Sequence, residues 1–365
     1  MRFISSAIFL FLFASCRENQ PATPAQGSGT AGWTLSGFVK VDSLNPILQP
    51  DKKQSFYCPL RKDTVAWEGR NVLNPSAVVR DGKIYLLYRA QDAQMTSRLG
   101  LAVSTDGLHF QKGATPVLYP GNDKMKAYEW PGGVEDPRVV ESEDGTYVLT
   151  YTSYDGKVAR LCLATSRDLQ TWTKHGPVLA DDQYKDTWSK SGAIVSKLVG
   201  NKVVAVKIGG RYWMYFGDTD LFIATSTDLI HWQVEVSEES KKMITVLHAR
   251  PGYFDSRLVE PGPYALLKEE GILLIYNGSN AANFSDSALP RFTYSAGQAL
   301  FHRDRPYQLI SRTETNFLRP DKEYEKVGEV NEVCFVEGLV YFNNRWLLYY
   351  GTADSKIAVA VRSGP

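Results

Sequence analysis

The chain of 365 residues carries 41 lysines and arginines against 40 aspartates and glutamates, a formal charge of +1. Nothing in that balance suggests the clustered basic face that nucleic-acid binding needs, while a composition 43% hydrophobic and 12% aromatic supplies a large core. The four cysteines stand at unrelated spacings, which argues against a disulfide framework or a cysteine metal site, and no cofactor is expected.

Met1-Arg2, the apolar run from Phe3 to Ala14 and the small pair Ala14-Ser15 before Cys16 have the zones of a bacterial secretory signal ending in a lipobox. On that reading residues 1–16 are a signal peptide and Cys16 is lipidated. The protein is then anchored by lipid to the cell envelope, in the periplasm or at the outer-membrane surface. The apolar run is too short to span a bilayer. Residues 17–32, rich in Pro, Thr, Gly, Ser and Gln, read as a flexible tether, which leaves residues 33–365 as the folded body.

The body repeats itself at a period of about 60 residues. Leu99-Gly-Leu-Ala-Val-Ser-Thr-Asp-Gly-Leu-His-Phe110 returns at Leu161–Trp172 and at Leu221–Trp232. Each copy follows a tyrosine-rich apolar strand: Ile84–Tyr88, Tyr147–Tyr151 and Tyr212–Phe216. Ile272–Tyr276 and Trp346–Tyr350 precede shorter copies at Ser295–Leu300 and Lys356–Val361, which makes five units. Turn signals such as Asp81-Gly82, Asp144-Gly145 and Asp155-Gly156, with almost no helical periodicity, predict an all-β fold, a five-bladed β-propeller. Ser-x-Asp followed by an aromatic predicts a turn cap and a buried wedge, so Asp106, Asp168 and Asp228 are assigned to structure. A propeller gathers the starts of its innermost strands around a central funnel, and functional residues are expected there.

Gly132-Gly-Val-Glu-Asp-Pro-Arg138 sets two adjacent carboxylates and a guanidinium where no regular element is expected. Paired glycines open unusual backbone angles and Pro137 bars a helix through Asp136, which predicts a strand entrance or tight loop. Presented there beside Trp130, Asp136 suits an acid/base group in a sugar-sized pocket. Asp136 and Arg138 suit a structural turn pair as well.

Asn74-Pro-Ser76, Tyr88-Arg-Ala90, Gly132–Arg138, Phe254-Asp-Ser-Arg257, Tyr324–Gly328 and Tyr349–Asp354 occur in this order along nearly the whole body. Together they resemble glycoside hydrolase family 130. The resemblance implies a five-bladed propeller acting on β-mannosides with inversion, by hydrolysis in some members and phosphorolysis in others. It implies that Asp136 is the general acid, protonating the leaving oxygen through the sugar's own 3-hydroxyl, and that Asn74, Arg89 and Asp354 hold the terminal mannose. Arg98 adds donors for sugar hydroxyls, Lys190 sits where the family often has a functional lysine, and Trp130 and Tyr276 suit sugar stacking or the core equally.

The nucleophile turns on two stretches. Family phosphorylases carry a Gly-Ala-Gly-Pro-Pro segment and a later Asn-Val-Val-Phe-Pro-Cys-Gly, whereas this chain reads Leu258-Val-Glu-Pro-Gly-Pro263 and Asn331-Glu-Val-Cys-Phe-Val-Glu-Gly338. Both departures introduce carboxylates. Fixed negative charge repels a phosphate dianion, and it provides the base that a water nucleophile needs. The expectation is therefore an exported, inverting hydrolase that releases mannose from β-mannosides, β-1,2-linked ones foremost. Glu260 is the leading base, with Asp218 and Glu332 as competitors. One alternative is a β-mannoside phosphorylase producing mannose 1-phosphate, with Arg138, Arg160, Lys190, His248 and Arg257 as cations able to hold phosphate. A second is a glycan-binding lipoprotein without activity.

Overall fold

The structure, a computed structural model, describes residues 32–180 and 183–364, so the signal segment, Cys16 and residues 17–31 of the tether lie outside the described residues. Strands pair as the repeats predict. Asn71–Arg80, Lys83–Gln91, Ser97–Ser104 and Gln111–Lys112 form the first antiparallel unit. Gly133–Glu141, Tyr147–Tyr154, Ala159–Ser166 and Thr173–Pro177 form the second. Ala193–Val199, Tyr212–Phe216, Leu221–Ser226 and Trp232–Val234 follow as the third. Leu258–Pro261, Ile272–Ser279, Tyr294–His302 and Arg305–Arg312 make the fourth, and Cys334–Phe342, Arg345–Thr352 and Lys356–Ser363 the fifth. Val39–Lys40 pairs with the last of these strands at Val39↔Val361, so the two ends of the body share one sheet and close this β-propeller. Helix among the described residues is confined to Lys126–Glu129 and Glu323–Lys326.

The capped turns form as read. In each of the three full repeats the serine hydroxyl accepts the N–H three residues on, at 2.8 Å from Gly107, 2.8 Å from Leu169 and 2.9 Å from Leu229. Asp106, Asp168 and Asp228 accept the next turn's N–H groups, from His109, Thr171 and His231. All three carboxylates are thereby consumed by their own turns. Cys58, Cys162 and Cys334 are buried and unbridged.

A second device repeats between strands. Four tyrosines at matching register, Tyr88 opposite Gly100, Tyr151 opposite Cys162, Tyr276 opposite Gly297 and Tyr350 opposite Ala358, each donate a hydroxyl hydrogen bond to a buried carboxylate. The acceptors are Glu68 at 2.7 Å, Glu129 at 3.0 Å, Asp255 at 2.8 Å and Glu325 at 2.9 Å. Each acceptor also holds a cation: Lys112, Lys174 at 2.5 Å, Arg312 at 2.6 Å and Lys40 at 2.7 Å respectively. Unit three breaks the pattern. Phe216 stands opposite Phe222 at the matching register, the rings 5.8 Å apart, and an apolar pair replaces the latch. A buried carboxylate is tolerable only when paired and hydrogen-bonded, and the latches meet that condition. Gly100 is required beside its latch, because a Cβ there would lie 2.4 Å from Cζ of Tyr88.

Candidate active site

The latches fix the second strands, and the bends that make the site lie in the first strands opposite them. In unit one the register slips between Leu73 and Pro75, leaving Asn74 outside the ladder. In unit two it slips between Glu135 and Arg138, leaving Asp136 and Pro137 outside. The segment around Asp136 is therefore not a loop: strand Gly133–Glu141 runs through it, because a bulge spares the proline any ladder hydrogen bond to donate. Gly133 is needed at its entrance, where φ is 118° and a Cβ would meet the carbonyl oxygen of Ser97 at 2.2 Å. Asn74 (φ 47°), Asp136 (φ 48°), Ser191 (φ 58°) and Asp354 (φ 48°) all take left-handed angles, a conformation Asn and Asp tolerate best and one that clusters at functional sites.

Together these ends enclose a cavity of about 320 Å³ whose polar lining is Asn74, Arg89, Asp136, Lys190, Arg257, Glu260 and Asp354, walled by Phe292, Tyr294 and Phe335. Units one, two, four and five and the approach to unit three all contribute. A larger depression of about 670 Å³ lies between Phe38–Asp42 and Thr315–Lys322. Four of its charges are paired among themselves, Lys40 with Asp321 and Lys322 with Asp42, each at 2.6 Å.

Asp136 accepts from Nδ2 of Asn74 at 2.9 Å and Nη1 of Arg89 at 3.1 Å. Arg89 also reaches Glu135 through Nη2 at 2.6 Å, and the Ser97 hydroxyl donates to the same carboxylate at 3.0 Å. Burial alone would raise Asp136, but Arg89, Lys190 and the Asn74 hydrogen bond outweigh it and hold the carboxyl below the ordinary range. Glu135 goes the other way, raised by burial against the pull of Arg89. Across the cavity, Glu260 accepts a short hydrogen bond from the Ser191 hydroxyl and has Nζ of Lys190 at 3.7 Å. Burial raises Glu260, and Lys190 only partly offsets it. Burial would strip the proton from Lys190, yet Glu260, Asp136 and Asp218 around it keep it charged. Asp354 is pushed by burial to about 6 in spite of Arg89. The cavity thus presents carboxyls of opposite bias, Asp136 held low and Glu260 and Asp354 held high, the reverse of the resting protonation that an acid at Asp136 and a base at Glu260 would have. Oδ1 of Asn74, though buried, has no hydrogen-bond partner, so an acceptor waits at the cavity wall.

Several expected site residues lie elsewhere. Arg98 is buried away from the cavity, donating to Asp92 at 2.9 Å and lying 5.2 Å over Phe56, because a guanidinium with no water needs a carboxylate and a ring. Tyr276 belongs to a latch and stacks on Phe254 at 6.1 Å, so no face is left for sugar. Trp130, partly buried, packs against the apolar core with Arg61 over its ring at 5.6 Å. Arg138 does not face substrate: it donates to backbone carbonyls of Gly262 at 2.7 Å and Pro261 at 2.6 Å. Arg160 is spent on Asp155 and Asp186, and His248 pairs with Asp220 at the surface. Asp218 does not line the cavity and reaches it only through Lys190, at 3.9 Å, while holding the Trp188 indole at 2.9 Å. Glu332 touches the site through its backbone, whose carbonyl accepts from Tyr294 at 2.9 Å. Asn74, Arg89, Asp136, Lys190, Arg257, Glu260 and Asp354 are brought together. Glu135, Ser191 and Tyr294 escaped sequence reading. For Glu135 the signal was adjacency to Asp136; for Ser191 it was the Lys-Ser-Gly step aligned with Glu-Asp-Pro at the same point of the preceding repeat.

The family model described as beta-1,4-mannooligosaccharide phosphorylase, that of glycoside hydrolase family 130, matches residues 41–363. A 1,2-beta-oligomannan phosphorylase from Thermoanaerobacter sp. is 30% identical over 337 residues, covering 89% of this chain and 97% of its own. A solved glycosyl hydrolase from Bacteroides ovatus is 45% identical with a TM-score of 0.88, covering 91% of this chain and 95% of that one. A further structure, from work on family members described as hydrolases that target beta-1,2 mannosidic linkages in Candida mannan, is 43% identical over 91% of this chain and 95% of its own, with a TM-score of 0.89.

Proposed function

The chain belongs to glycoside hydrolase family 130, an enzyme family of glycosyl transfer on mannosides, and from that premise we propose that it hydrolyses β-mannosides, β-1,2-linked ones foremost, with inversion. The observation that carries the reading is Glu260, a buried carboxyl lining the cavity that Asp136 enters from another unit. In the proposed reaction Asp136 delivers a proton to the leaving oxygen through the 3-hydroxyl of the sugar. Glu260 takes a proton from the water that attacks the anomeric carbon on the opposite face. Asn74, Arg89 and Asp354 grip the hydroxyls of the terminal mannose. Arg89 and Lys190 favour Asp136 as an anion, so its acid role requires a proton taken up when the sugar binds.

Phosphorolysis is the second reading, and the names of the curated relatives weigh towards it more than towards hydrolysis. Arg257 gives it a geometric footing: it lines the cavity, sits 5.1 Å over Phe292 and, among the described residues, has no carboxylate within ion-pair distance. Against it stands Glu260, whose charge lies beside Lys190 where a dianion would have to settle. Incubation of the enzyme with β-1,2-mannobiose, with and without phosphate, decides the matter. Hydrolysis gives mannose under both conditions, and Glu260→Gln lowers kcat by about 10²–10⁴-fold with little change in KM. Turnover only with phosphate, yielding mannose 1-phosphate, overturns the hydrolytic reading.

A further inference from the structure

Glu337 has a place in the fold that the proposed chemistry leaves unused. It is the bulged residue of the first strand of unit five, where the register slips between Val336 and Gly338. Asn74 and Asp136 occupy bulges of the first strands of units one and two, within one residue of the latch tyrosine, as Glu337 does. Its side chain is wholly buried, and neither carboxyl oxygen has a hydrogen-bond partner. No other carboxylate among the described residues is left so. Such a group is costly to bury and persists only where something uses it.

Its one close charge is Arg138, with Nη1 3.2 Å from Oε1. Arg138 is itself 3% exposed. Nε donates to the carbonyl of Gly262, Nη2 to that of Pro261 and Nη1 to that of Asp136, at 2.7, 2.6 and 3.3 Å. One planar group therefore ties the backbone that carries Asp136 to the backbone that immediately follows Glu260, and three neutral carbonyls and one carboxyl surround it.

We infer that Glu337 is a positioning residue: its close contact with Arg138, 3.2 Å from Nη1 to Oε1, fixes the guanidinium that sets the separation of Asp136 from Glu260. The inference rests on Asp136 and Glu260 being the acid and the base. Inversion depends on the spacing of two carboxyls with a water between them, and a misplacement of about 1 Å costs about 100-fold in rate. The planar fork of arginine suits the task, since its donors hold fixed angles to one another. Arg89, Asp136 and Glu260 are the other charged groups that bear on Glu337, and burial holds its carboxyl well above the usual range. Either protonation state still offers Arg138 an acceptor oxygen, so positioning does not depend on which one is present.

The test removes the pair as a unit, because deleting one partner leaves a buried charge and risks the fold. Arg138→Met combined with Glu337→Leu is expected to melt within a few degrees of the parent, to lose about 100-fold in kcat on β-1,2-mannobiose, and to keep KM within about two-fold. Glu337→Gln alone retains an acceptor and is expected to stay within a few-fold of parental kcat. A double variant with parental kcat overturns the inference, as does one whose KM rises in step with the fall in kcat, or a Glu337→Gln variant as impaired as the double. Should Asp136→Asn and Glu260→Gln both keep full activity, it is the acid/base assignment that fails.

Discussion

The latches and the cavity are built from the same chemical parts, and they differ in whether those parts are used up. In a latch a carboxylate meets a tyrosine hydroxyl and a cation: Glu129 has Tyr151 at 3.0 Å and Lys174 at 2.5 Å. In the cavity Asp136, Glu260 and Asp354 share the partial attention of Arg89 and Lys190, Asn74 keeps an orphan oxygen, and Arg257 has no carboxylate partner among the described residues. A closed trio gives up its charges to one another and serves stability. An open one keeps donors and acceptors in place, partly dehydrated, at a standing cost to the fold that substrate relieves.

The sharpest way to break this contrast is Asp136→Asn. It keeps the volume, the left-handed backbone angle and an acceptor for Asn74, while losing the proton, so turnover of an unactivated mannobiose is expected to fall by about 10³–10⁴-fold with the melting temperature almost unchanged. Substantial residual turnover removes Asp136 from the acid role.

A latch should behave in the opposite way. Lys174→Met strands Glu129 in the core and is expected to lower unfolding free energy by about 3–5 kcal/mol with kcat per folded molecule preserved, checked by denaturant melts beside steady-state rates. Equal loss of kcat would mean that latches and site are one system.

The smallest effect sharpens the comparison by reversing its sign. The folded chain holds the Asp354 proton up to about pH 6, whereas an unfolded chain releases it near the ordinary 3.8. In between, the folded state binds more protons, so stability falls as pH rises through that window and the deficit is complete above it. Asp354→Asn should therefore be more stable than the parent at pH 8, by on the order of 3 kcal/mol at most, and equal to it below about pH 3.8, while binding mannosides poorly. Melting curves across that range that run parallel for the two proteins refute it.

How much was legible beforehand differs by kind. The capped turns of Asp106, Asp168 and Asp228 were readable because every contact lies within three residues along the chain. Asp136, Asn74, Arg89 and Asp354 were found through motif likeness, since no local pattern distinguishes them from Arg98, an arginine as prominent in sequence that the fold seals against Asp92. Tyr276 shows the same limit: its strand was plain, but its hydroxyl faces Asp255, twenty-one residues away, and the choice of core over sugar was made there. Glu260 and Glu332 looked alike as acidic departures in two stretches, yet one side chain turns into the cavity and the other does not.

Alternation, turn chemistry and a repeated strand pattern act over a few residues, so the all-β class, the repeating tyrosine-rich strands and the turn-cap aspartates were legible in the sequence, whereas the first strand of each unit was not. Which charged side chains remain open was decided only by the tertiary structure. Closing the ring through Val39–Lys40 brings Asn74, Asp136, Lys190, Glu260 and Asp354 from across the chain to one cavity, and it is burial and neighbouring charge there that hold one carboxyl low and another high.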